Sequence, residues 1–162
     1  MNFYQKNRAG REGFRFGAEA EWNDSLIRAA VTPLDPVFGF EPWTVNPGNY
    51  LVYRFGKSLS ANLDMTHGGQ RFAIHTVPGA DSLRGIRLDI AGLNIGGALG
   101  MLPSAPPVGG VLGAAVTLNT GADTLAVRGD VSVAGLSYDK QRFGDVGLGV
   151  LYEPVSYTHL TL

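Results

Sequence analysis

The chain has 162 residues, a formal net charge of −1, 44% apolar residues and only 17% charged residues, without a single cysteine. That balance leaves no electrostatic footprint for nucleic acid and excludes a disulfide framework and thiolate metal sites. No run approaches the roughly 18–20 apolar residues of a membrane-spanning helix, and the opening MNFYQKNRAGREGF lacks the apolar core of a secretory signal.

Glycine supplies 23 positions, spread along the chain without a triplet period, which points to many turns and bulges. Residues 1–12 read as a disordered or truncated lead-in. Strands are then predicted at Gly13–Trp22, Leu26–Thr32, Tyr50–Phe55, Ser58–Thr66, Arg71–Val77 and Leu83–Ile90. After an interruption they resume at Gly113–Leu118, Thr124–Arg128, Asp130–Val133 and Asp145–Tyr152. Turn chemistry separates them: AsnAspSer at 23–25, ProGlyAsn at 47–49, HisGlyGly at 67–69, ProGlyAlaAsp at 78–81 and ThrGlyAlaAsp at 120–123.

Alternation identifies one apolar face. Leu59, Ala61, Leu63 and Met65 oppose Ser58, Ser60, Asn62 and Asp64, while Ile86, Leu88 and Ile90 oppose Arg87 and Asp89. Val116 and Leu118 continue the pattern, as do Val146, Leu148, Val150 and Tyr152 against Gly147 and Gly149. Between the two halves, GLNIGGALGMLPSAPP at 92–107 loses the period of two. Ile95, Leu99 and Leu102 fall on one helical stripe, with Asn94 as N-cap and Pro103 as stop, so a short helix is expected at Ile95–Leu102, docked over the end of the apolar face. Pro154–Leu162 breaks the pattern. It reads as a non-native tail similar to translated adaptor sequence, with an ordinary final strand as the alternative.

Two stretches resemble a known family. WTVNPGNYLVY at 43–53 is similar to the W-x-x-x-P-x-N-x-x-x-Y element of the TamB family, AsmA-like bridge proteins, in its Bacteroidetes-like members. GDVSVAGLSYDKQRFGDVGLGV at 129–150 resembles a repeated hairpin of the same family, and SAPPVGGVLGAAVTL at 104–118 resembles its helix-to-strand return. The resemblance covers residues 13–153, read as one β-groove segment of a longer protein. It implies an elongated, curved, open β-groove lined by apolar side chains. It further implies a periplasmic location with an inner-membrane anchor in the parent protein, phospholipid acyl chains as cargo and a BamA-like outer-membrane barrel as partner. The role implied is lipid transport to the outer membrane and protein assembly there.

Catalytic and cofactor readings find little support. His67, His75 and His159 share no ligand spacing, and His75 alternates with Ile74 toward solvent. The acidic residues adjoin turns, where a carboxylate bonds its own backbone. GlyGlyAlaLeuGly at 96–100 lacks the Lys and Ser/Thr of a phosphate loop, and no G-x-S-x-G occurs. No enzyme, metal or cofactor is expected. Trp43, Tyr50 and Tyr53 read as sheet-edge closure and cross-strand pairs rather than as a sugar platform.

The expected fold is therefore all-β, an elongated curved antiparallel sheet with an open apolar groove. Its candidate lining is Leu59, Ala61, Leu63, Met65, Ile86, Leu88, Ile90, Val116, Leu118, Val146, Leu148 and Val150. The alternatives are a fragment of an outer-membrane β-barrel, disfavoured by short strands and charged outer faces, and a secreted carbohydrate-binding β-sandwich.

Overall fold

The computed structural model describes residues 2–6, 10–56, 58–78, 84–99, 104–120 and 125–153. Its strands are β1 (Asn2–Lys6), β2 (Glu12–Trp22), β3 (Leu26–Phe38), β4 (Glu41–Pro42), β5 (Thr44–Val45), β6 (Tyr50–Arg54), β7 (Ser58–His67), β8 (Gln70–Pro78) and β9 (Arg84–Asn94). A short helix α1 (Ile95–Leu99) follows, then β10 (Val108–Thr120), β11 (Leu125–Tyr138) and β12 (Gln141–Tyr152). They form one open antiparallel sheet in the order β1-β2-β3-β6-β7-β8-β9-β10-β11-β12, with β4 paired to β3 and β5 to β7. The expected all-β architecture holds, and β1 and β12 are the two edges of the described sheet.

Several elements differ from expectation. Residues 2–6 are not outside the sheet: β1 pairs with β2, and Phe3 packs edge-on to Phe14 at 5.7 Å. β3 continues past Thr32 through two prolines. Between the pairs Gly17↔Thr32 and Arg15↔Val37 the strand carries extra residues, so Pro33 and Pro36 sit in a bulge where their missing N–H groups are not required. The bulge is held from both sides. Arg15 Nη2 donates to the Asp35 carbonyl at 3.0 Å and Trp43 N donates to the Pro36 carbonyl at 2.8 Å.

The two short strands expected at 124–133 are one strand, β11. Gly129 pairs with both Val116 and Val150 and so lies within the ladder instead of breaking it. A Cβ there would collide with the Ala115 carbonyl oxygen and stand 2.6 Å from Val116 Cα, so only glycine permits this approach of β10 to β11. The ThrGlyAlaAsp and ProGlyAlaAsp turns fall largely, and Pro154–Leu162 entirely, outside the described residues, as do residues 100–103 after the helix.

The slot between β3 and β7 is filled in two pieces. β6 pairs with both neighbours at one end, through Leu51↔Ala29 and Leu51↔Ala61, while β5 pairs with β7 at the other, through Val45↔Met65. Between them the chain carries two more residues than β7 can match, and asparagine side chains bridge the interruption. Asn46 Oδ1 accepts from Asp64 N at 2.8 Å on the β7 side. Asn49, only 5% exposed, does the same toward β3: its Oδ1 accepts from Val31 N at 2.7 Å and its Nδ2 donates to the Val31 carbonyl at 3.2 Å. Each side-chain amide stands where a peptide group would have been. A similar substitution occurs where β7 and β8 diverge, as Thr76 Oγ1 accepts from Ala61 N at 2.7 Å and donates to its carbonyl at 3.2 Å.

Candidate functional site

Residues directly opposite across a ladder project to the same side of the sheet. The register therefore shows which side chains share a face. Leu63, Ile74, Leu88, Val116, Gly129 and Val150 form one row across β7 to β12. Met65, Phe72, Ile90, Ala114, Val131 and Leu148 form the next, and Ile86, Leu118, Val127 and Tyr152 continue from Thr76 beside Ala61. Leu59 joins Tyr53, Ile27 and Trp22, and Val146 joins Val133, Leu112 and Leu93. All twelve residues expected to line the apolar face thus lie on one side of the sheet. Bulges at residues 91–92 and 134–135 preserve that phase, because each adds a residue without moving the next apolar side chain to the other face.

Their surroundings divide them. Ala61, Leu63 and Met65 are buried, and Leu63 and Met65 form a core with Trp43 and Val45 against which Val31, Phe38, Phe72 and Leu93 pack. Leu59, Ile86, Leu88, Ile90, Val116, Leu118 and Val150 are half-buried. Val146 and Leu148 are open, Leu148 at 61% exposure. The apolar face is consequently covered at β5–β7 and bare toward β12. Gly147 and Gly149 belong to the opposite face, beside Ser132 and Asp130.

A cavity of about 360 Å³ lies at the covered end. Trp43, Met65, Phe72, Leu93 and Phe38 supply its apolar wall, and Gly97 and Ala98 of α1 close it from one side. α1 is where the Ile95–Leu102 expectation placed it, and Asn94 is its N-cap, with Oδ1 accepting from Gly97 N at 3.1 Å. Of the expected stripe, Ile95 and Leu99 are half-buried and Leu102 lies outside the described residues; no described residue of α1 is fully buried, and the helix presents Gly97 and Ala98 to the cavity. Gln70 ties the helix start to β8, its Oε1 accepting from Asn94 N at 2.8 Å.

Glu41 is the charged residue of the cavity lining. Its Oε2 lies 3.5 Å from His67 Nε2. His67 Nδ1 is 2.7 Å from the Pro42 carbonyl, which only accepts, so Nδ1 is the donor of that contact. Trp43 stacks on the His67 ring at 5.8 Å. Sequence reasoning took Trp43 as an edge closure and missed Glu41, Gln70 and Phe38 altogether. Only long-range register brings them together.

The other face is charged and internally paired. Arg71 and Asp64 form a forked pair, with Nε donating to Oδ1 at 3.0 Å, and His75 Nε2 approaches Asp64 at 3.7 Å. The Arg71 hydrogen bond holds the Asp64 carboxyl below the usual carboxylate range, against a smaller opposing effect of burial and with help from His75. Arg87 donates to Asp89 at 2.8 Å. His75 is thus half-buried in this charged lattice rather than freely solvated. Tyr50 and Tyr53 do stand in cross-strand pairs: Tyr50 opposite Asn62, under Arg28 on the charged face, and Tyr53 opposite Leu59 and Ile27, with Phe55 edge-on to it.

Strand lengths no longer distinguish this sheet from a membrane barrel, because the main strands run from 9 to 14 residues instead of six to eight. The cavity is the better discriminator. It lies on the apolar face, whereas the lipid-facing wall of a barrel is convex and uncovered. Comparison with protein-family models, with curated proteins and with solved structures returns no match for this chain.

Proposed function

We propose that this chain is a segment of a structural conduit for acyl chains, part of a periplasm-spanning protein that supplies lipid to the outer membrane and supports protein assembly there, as its resemblance to the TamB family implies. The observation that carries the reading is the run of apolar rows across six consecutive strands on the side of the sheet that bears the cavity. Shielding a CH₂ group from water is worth about 0.8 kcal/mol, so an acyl chain lying along such rows is held by many weak, non-directional contacts and can slide. The charged face, with its Asp64–Arg71 and Arg87–Asp89 pairs, faces water. Phospholipid and a BamA-like barrel are the partners of this reading.

The test uses a photocrosslinking residue on each face of the same strand. Leu88 and Leu148 are suitable apolar positions, while buried Leu63 is enclosed by protein and is a poor reporter. With the chain exported to the periplasm of a diderm bacterium, crosslinks at Leu88 and Leu148 should capture phospholipid, and those at Arg87 and Gly147 should not. Equal capture on both faces would remove the conduit reading.

A further inference from the structure

The cavity beneath Trp43 combines an apolar wall with one formal charge. Among the described residues its lining contains the Glu41 carboxylate and no cationic side chain, and its other polar lining side chains, Gln70 and Asn94, are neutral amides. The sign of the cavity is therefore set by Glu41. Trp43 is only 7% exposed and its indole forms part of the same wall. A carboxylate beside an aromatic wall in a half-dry cavity is the chemistry that recognises an alkylammonium group, through charge and through the ring quadrupole together. We propose that this cavity binds the head of a cationic amphiphile, with the ammonium against the Glu41 carboxylate and the alkyl tail passing over Met65 and Phe72 onto the apolar rows.

Two features support the assignment. The volume of about 360 Å³ lies at the lower end of the size range of small-ligand sites, and suits a compact head with the first part of a tail. Met65 and Phe72 begin the row that continues through Ile90, Ala114, Val131 and Leu148, so a tail leaving the cavity meets continuous apolar surface. Only this last step rests on the conduit reading; recognition of the head does not.

The experiment measures binding of decyltrimethylammonium, decanol and decyl sulfate to the whole chain below their micellar concentrations. Trp43 fluorescence reports binding in a Trp22→Phe background, since Trp22 is 76% exposed and the other indole of the chain. The cation should bind on the order of tenfold more tightly than decanol, the ratio one charge-assisted contact supplies, and decyl sulfate more weakly than either. Glu41→Gln should abolish the preference and leave decanol affinity unchanged. Gln70→Glu keeps an acceptor for Asn94 N, adds a second negative charge to the lining and should raise the preference, so it carries the test if Glu41→Gln folds poorly. Equal binding of all three probes overturns the head-recognition site and leaves the conduit standing. Failure of every probe to bind overturns both.

Discussion

At the scale of single residues, the least replaceable side chain is Asn49. It is buried, and its amide supplies an acceptor and a donor to Val31 in place of a peptide group. Asn49→Ala should cost about 2–3 kcal/mol, because the Val31 N–H and C=O are left without partners in a poorly hydrated place. Asn49→Asp should be at least as damaging: it keeps an acceptor for Val31 N but sets a carboxylate oxygen against the Val31 and Asn46 carbonyls. Urea titration of the two variants checks the order, and an Asp variant as stable as wild type would show that the amide donor is unimportant. Asp64 gives a pH dependence. Its folded titration lies below the ordinary value of 3.8, so the unfolded chain binds a proton more readily. Its contribution is present in full above that value and is lost as pH falls through the depressed one. The pair is partly exposed, so the effect is under about 1 kcal/mol. Asp64→Asn should lower stability at neutral pH by that amount and leave the acid extreme unchanged, so that the acid limb of the stability curve flattens.

At the scale of elements, Gly129 shows how much a strand depends on one missing methyl group. Gly129→Ala should destabilise by several kcal/mol, since the closest obstacles are backbone atoms of β10, which cannot rotate away, whereas Gly147→Ala meets open space and should be nearly neutral. Paired thermal melts decide the matter. The same glycine marks the limit of what was legible beforehand. Period-two alternation in Ser58–Thr66 and Asp145–Tyr152 revealed the faces, because burial of one side is a local constraint. Asn94 was readable as a cap for the same reason. Gly129 looked like a break because its requirement comes from Val116, a strand away. Pro33 and Pro36 looked like an end to β3 because the Arg15 contact that holds their bulge is equally remote. The W-x-x-x-P-x-N-x-x-x-Y pattern was visible as a motif, but its physical content, two amides imitating peptide groups, depends on β3 and β7 together. Glu41 carried no signal at all. It is an ordinary surface carboxylate until register sets it beside Met65 and Trp43.

At the scale of the whole molecule, the seam between β3 and β7 has a mechanical consequence. β10 and β11 share twelve paired positions, whereas β3 and β6 share four, with Asn49 bridging part of the remainder. A sheet pulled sideways, across its strands, loads these ladders in series, so it tears at the one with the fewest rungs. Tension applied between Glu21 on β2 and Leu151 on β12 should part the sheet first at β3–β6, leaving a two-leaf intermediate in which β7–β12 stay joined. Asn49→Ala should lower that first rupture force and leave the later ones unaltered. Any assembly that stretches such a sheet between two anchored ends would yield reversibly along this line, with the apolar rows beyond β7 still in register.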